Sequence, residues 1–169
     1  PHPRCRPFGL LLVLALFSAA PSGTAASGDT TISAPIGANV TGITQSSTTS
    51  TLVLSGNNTY IGDTTINAGT LRLGASNVIP DGSGKGNVAV TGTLDLNGFS
   101  ETINGLSGAG TIDNTAASTA ATLTVSANSD FSGTLKNSGA GLALLKTGES
   151  DLVLSGSNSY SGGTTLNAG

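Results

Sequence analysis

Residues 51–69, TLVLSGNNTYIGDTTINAG, return at residues 151–169 as DLVLSGSNSYSGGTTLNAG, with 13 of 19 positions identical at an offset of 100. Agreement of that kind marks an internal repeat, and a repeat decides the architecture before any single residue does. It points to a surface built of stacked units rather than to one pocket.

Working outward, the opening of the repeat recurs between and beyond the copies. Thr51-Leu52-Val53-Leu54, Thr70-Leu71-Arg72-Leu73, Thr93-Leu94-Asp95-Leu96, Thr122-Leu123-Thr124-Val125 and Asp151-Leu152-Val153-Leu154 each place apolar residues two apart. Period 2 puts both on one face of a strand and the intervening residue on the other. The segments start 19, 23, 29 and 29 residues apart. That spacing suits coils of a solenoid, the longer intervals carrying an extra loop or turn. Corners are supplied by Ser55-Gly56-Asn57-Asn58, Asn97-Gly98 and Asn104-Gly105, and Gly69 is where the strand alternation must reset. A two-sheet sandwich also alternates, but near-copies a hundred residues apart favour an all-β parallel β-helix. One coil cannot bury its own apolar face; stacked coils bury a continuous column. About five or six coils at roughly 4.8 Å each are expected.

Composition agrees. The 169 residues include 25 Gly, 9% charged and 4% aromatic residues, with a net charge of −3. A basic nucleic-acid footprint is absent. Arg4 and Arg6 precede an apolar run from Gly9 to Ala20, followed by Pro21 and small residues to Ala26. This reads as a signal peptide over residues 1–26, cleaved at Ala25 or Ala26. The run is shorter than the roughly 20 residues a membrane span needs. His2 and Cys5, the only His and Cys, leave with the leader. Arg72, Lys85, Lys136 and Lys146 then face nine acids, a net charge of −5. No disulfide is open to such a chain, which suits one that must stay threadable during export.

A search for chemistry returns little. Asp81-Gly82-Ser83-Gly84-Lys85-Gly86 lacks the first Gly and the final Ser or Thr of a phosphate-binding loop, and reads as a hairpin-like surface loop. Asp63, Asp81, Asp95, Asp113, Asp130 and Asp151 are scattered singly, and nothing selects a carboxylate pair. Without His or Cys the usual nucleophilic arrangements are missing. Tyr60 and Tyr160 share one repeat position, which argues for packing rather than sugar stacking. No catalytic residue, cofactor or metal site is expected.

The second copy with its lead-in, Leu145-Lys146-Thr147-Gly148, Asp151 to Gly156 and Asn158 to Gly169, resembles the autotransporter-associated β-strand repeat of passenger domains. The first copy matches through Leu73, and Asn97 to Ile112 looks like the segment linking such repeats. The signature positions are Leu52, Leu54, Gly56, Tyr60, Gly62, Thr64, Thr65 and Gly69, with Leu152, Leu154, Gly156, Tyr160, Gly162, Gly163, Thr164, Thr165 and Gly169 in the second copy. Asp63 departs from the pattern where the second copy has Gly163, a change tolerable if Asp63 keeps an ordinary backbone angle. The resemblance implies a right-handed β-helix over residues 51–169, with repeats at 51–73 and 146–169 and a cap or linker at 27–50. It implies an exported, adhesin-like passenger at the surface of a Gram-negative-type cell, with a C-terminal translocator barrel in the full-length protein and a cell-surface ligand. The alternatives are a fragment of a polysaccharide-active β-helical enzyme and a two-partner secreted filamentous adhesin. The second copy stops at Gly169, where the first continues into Thr70-Leu71, so the chain reads as a piece of something longer with an exposed coil end.

Overall fold

Alternating apolar and polar residues cut into short runs by Gly and Asn dictate many short strands, each with one buried side. The computed structural model describes Leu10–Leu14 and residues 28–169, with seventeen strands and no helix among them. The cleavage positions Ala25 and Ala26 lie outside the described residues. In chain order the strands begin with β1 (Leu10–Leu14), β2 (Thr30–Ile32), β3 (Val40–Gln45), β4 (Thr51–Leu54), β5 (Thr64–Ile66) and β6 (Thr70–Leu73). Next come β7 (Val88–Val90), β8 (Thr93–Asp95), β9 (Glu101–Ile103), β10 (Leu106–Gly108), β11 (Thr111–Asp113) and β12 (Ala121–Val125). The last are β13 (Ser129–Phe131), β14 (Thr134–Leu135), β15 (Leu142–Lys146), β16 (Leu152–Leu154) and β17 (Thr164–Leu166).

Every pairing is parallel, and three sheets result. Sheet A runs β1-β3-β5-β7-β10-β13-β16, sheet B runs β14-β11-β8-β6-β4-β2, and sheet C runs β17-β15-β12-β9. The chain visits the three sides in turn, giving a β-solenoid of about seven coils. Strands β2 and β3 form the first coil, and β17 lies in the last. In the early coils the third side carries single backbone bonds instead of a strand, such as Thr59 N–H to Ile36 O at 2.8 Å.

From β2 onward, partners in neighbouring coils lie 18 to 24 residues apart, from Thr93↔Thr111 to Thr64↔Val88. This corrects one expectation. Thr51, Thr70 and Thr93 do stack in sheet B at one coil per interval. The two 29-residue intervals do not hold an extra loop: Thr122 lies in sheet C and Leu152 in sheet A. Each is one coil and a third, so the strand pattern moves to the next side.

The core is a set of columns along the axis. On sheet B, Leu52, Leu71, Leu94, Ile112 and Leu135 stack in register and are fully buried. Each such side chain contributes about 1.5–3 kcal/mol relative to exposure. The column exists only when coils stack, which couples each coil to its neighbours. Gly69 turns the chain from β5 to β6 at φ 62°, the left-handed angle that the change of alternation requires.

Candidate functional site

The repeat signature becomes intelligible atom by atom in the first copy. Leu52 and Leu54 point into the core from β4. Asn58 bridges three coils: its Oδ1 accepts the Ile36 N–H at 2.9 Å and its Nδ2 donates to Val78 O at 2.8 Å. Tyr60 is fully buried, and its hydroxyl meets Thr64 Oγ1 at 2.6 Å. Burial pushes the Tyr60 phenol pKa well up, with the Thr64 bond opposing that shift. Thr64 faces inward and Thr65 outward on β5. Gly56 and Gly62 are where the backbone of the previous coil presses closest: a Cβ would strike Ala34 O and Thr41 O respectively.

The second copy repeats this geometry on other sides of the prism. Its first strand, β16, is in sheet A where β4 is in sheet B, and β17 is in sheet C where β5 is in sheet A. The local contacts nevertheless survive. Tyr160 meets Thr164 Oγ1 at 2.6 Å, and Asn158 Oδ1 accepts the Leu135 N–H at 2.8 Å. Gly156 and Gly162 abut Gly133 O and Leu142 O. The signature is therefore a local device for stacking one coil on the last, independent of side. Leu152, Leu154 and Tyr160 are half-buried, and Thr164 and Thr165 are exposed. Asp63 keeps an ordinary φ where Gly163 has 81°, which is how the first copy tolerates the change.

The Lys of the lead-in also gains a role. Lys146 ends β15 and is buried, its Nζ donating to Thr147 O at 2.6 Å and Gly148 O at 2.8 Å. Gln45 ends β3 in the same way, with Nε2 donating to Ser50 O at 2.9 Å and Thr70 O at 3.3 Å. Both plug a corner from inside. Lys146 is thus held by two carbonyls.

Two outward columns on sheet B were not visible in the sequence. Thr51, Thr70, Thr93, Thr111 and Thr134 stack in register, all partly exposed. Beside them, register aligns Arg72, Asp95, Asp113 and Lys136. Arg72 Nε lies 2.7 Å from Asp95 Oδ2, and Lys136 Nζ lies 3.2 Å from Asp113 Oδ2. Asp95 also accepts from Asn97 N, Thr115 N and Thr115 Oγ1. Asp113 accepts Ser138 N and Ser138 Oγ, each at 2.7 Å. Burial alone would raise Asp113, but the Ser138 bonds and Lys136 outweigh it and hold its pKa below the usual carboxylate range. Stacking does bring two acids together, as the sequence allowed without saying which, yet both carboxylates are consumed in holding loops and cations. Asp63, Asp81, Asp130 and Asp151 remain exposed and apart from this column. Among the described residues, no three His, Cys, Asp or Glu converge to hold a metal. Nor is any described helix long and apolar enough to cross a membrane.

Glu101 is the other buried acid. It takes an inward position on sheet C where Leu123 and Leu144 sit in later coils. Its two oxygens accept Val78 N at 3.0 Å and Ile79 N at 3.1 Å. Desolvation outweighs these bonds and pushes its pKa up to about 7. A carboxyl raised on folding contributes stability that is complete below its unfolded value near 4.5 and is lost as pH rises through about 7. Asp113 acts oppositely, its contribution disappearing as pH falls through its lowered pKa. Urea midpoints should therefore fall between pH 4.5 and pH 8 by the equivalent of about 3 kcal/mol. Glu101→Gln should flatten that limb; an undiminished fall in the variant would contradict the assignment.

Comparison with known proteins meets the same segments. The passenger-associated-transport-repeat family model matches residues 49–73 and 144–169. The adhesin BmaC autotransporter of Brucella suis biovar 1 (strain 1330) is 38% identical over 131 residues, which cover 76% of this chain and 4% of that protein. The chain thus spans a small fraction of that relative's length. No solved structure matches the chain.

Proposed function

Because both copies of that repeat fold into one β-solenoid, this is an autotransporter-associated repeat protein, and from that premise we propose that it is an adhesive, surface-displayed segment of a passenger. Its work is mechanical and interfacial: about seven coils hold outward columns at fixed spacing and carry them away from a Gram-negative-type cell. The translocator barrel of the full-length protein is its partner in export. The observation that carries this reading is the in-register outward face of sheet B, five Thr residues deep. A repeated surface of that kind suits an extended ligand better than a small substrate. The reading is non-enzymatic. Among the described residues, register aligns Asp95 with Asp113, and both are engaged by neighbouring side chains and backbone.

An epitope tag placed between Gly84 and Lys85 of the full-length protein tests it. Residues 81–84 are exposed, and nothing lies within 4 Å of a Cβ at Gly84. Antibody should label intact cells, and deleting residues 28–169 should reduce attachment. Labelling only after permeabilisation would contradict surface display, and unchanged attachment would contradict the adhesive part.

A further inference from the structure

We propose that Asn39 and Asn57 are modification sites, each carrying an N-linked sugar on the outer surface of the first two coils. The inference is independent of the adhesive reading and concerns what the cell attaches to the chain. Asn39-Val40-Thr41 and Asn57-Asn58-Thr59 are the two places where an Asn is followed two residues later by Ser or Thr. That is the acceptor pattern for N-linked sugars. In a chain rich in Asn and Thr the pattern alone decides little. Its placement in the fold decides more.

Both segments turn the Asn and the Thr outward and anchor the residue between them. Asn57 and Thr59 are exposed, whereas Asn58 is buried with both amide atoms bonded to neighbouring coils. Asn39 is exposed and Thr41 partly so, whereas Val40 is buried at the start of β3. Period 2 thus offers both groups that a transferase reads on one face, without local unfolding. The two amides are also uncommitted. Nine of the thirteen Asn side chains hydrogen-bond to another coil, and those of Asn39 and Asn57 make no such bond among the described residues. The second copy supplies a contrast: Ser157 stands where Asn57 does, yet Asn158 keeps its stacking bond. Stacking therefore does not call for Asn57. Both sites lie between a strand of sheet B and the next strand of sheet A. There Thr59 N–H to Ile36 O and Ile61 N–H to Val40 O set the two segments side by side. The donor is a sugar activated through an anomeric phosphate, on a nucleotide or on a lipid carrier. Asn Nδ2 bonds to the anomeric carbon, whose bond to the phosphate oxygen breaks. The phosphate leaves with that electron pair, and Nδ2 gives one proton to a base of the transferase.

Peptide mass spectrometry of the full-length protein, isolated from the cells that make it, is the test. Peptides holding Asn39 and Asn57 should each carry a carbohydrate increment. The peptide holding Asn77 should carry none: that Asn is equally exposed, but Ile79 stands two residues on. A single-sugar increment would identify a nucleotide-activated donor, and an oligosaccharide increment a lipid-linked one. Thr59→Ala should clear Asn57 and leave Asn39 occupied, and Thr59→Ser should keep both. Thr59 is exposed and bonds through its backbone N–H, so the variant retains the fold. Asn39 in the same molecule reports that the chain met the transferase. A bare Asn at either position would overturn that site, and a sugar that stays on Asn57 in Thr59→Ala would overturn the recognition.

Discussion

Gly62→Ala should unfold the first two coils at denaturant concentrations the parent chain withstands, a loss on the order of 3–5 kcal/mol. The added Cβ falls on the Thr41 carbonyl oxygen, a backbone atom that cannot swing aside. The collision lies between two inter-coil bonds, Ile61 N to Val40 O and Ile43 N to Asp63 O, each 3.1 Å. Moving the coils apart far enough for a methyl group breaks both, and each broken bond leaves groups that cost about 1–3 kcal/mol unpaired. The columns through Leu52 and Ile43 open with them. Gly84→Ala is the comparison. Its Cβ meets nothing, so only the left-handed φ of 76° is penalised, at about 1–2 kcal/mol. Urea unfolding of the two variants measures the difference, and equal midpoints would show that the coils do not press together at Gly62.

Tyr60→Ala should cost about 3–5 kcal/mol, as expected for emptying a fully buried aromatic site. It also strips the buried Thr64 hydroxyl of its partner. Tyr60→Phe keeps the ring and removes only the hydroxyl bonded to Thr64, so it should cost about 1–2 kcal/mol. Sequence alone does not rank the two losses; the burial of the ring between stacked coils does. Equal losses in urea unfolding would contradict that stacking.

That contrast marks the boundary of what the chain discloses when read as text. The strands at Thr51, Thr70 and Thr93 were legible because period 2 is a local signal and one coil separates them. The side each strand takes was not. It depends on the running total of coil lengths that vary between 18 and 24 residues, so the pattern at Thr122 and Leu152 lands on other sides. Arg72, Asp95, Asp113 and Lys136 read as isolated charges for the same reason: only register joins them. The kinship of Gln45 with Lys146 was hidden by one extra residue in the first lead-in. Glu101, a polar residue in an otherwise apolar column, carries no sequence signal that it is buried.

The same stacking explains how so polar a chain holds together. Charged residues are few, and Asn58, Glu101, Asp95 and Asp113 each spend their polar atoms on the backbone of an adjacent coil. Buried polar groups so satisfied fix register, while the Leu columns supply the bulk of the stabilisation. A chain with its only Cys at position 5 needs both.

The side-changing solenoid is tested most directly by paired cysteines in a Cys5→Ser background. Thr93 and Thr111 are register partners on adjacent strands, whose spacing of about 4.8 Å lies within disulfide reach. Thr93→Cys with Thr111→Cys should oxidise to an intramolecular disulfide, and Thr93→Cys with Thr122→Cys should not. A disulfide in the second pair and none in the first would place all the Thr-Leu strands on one side and contradict the account.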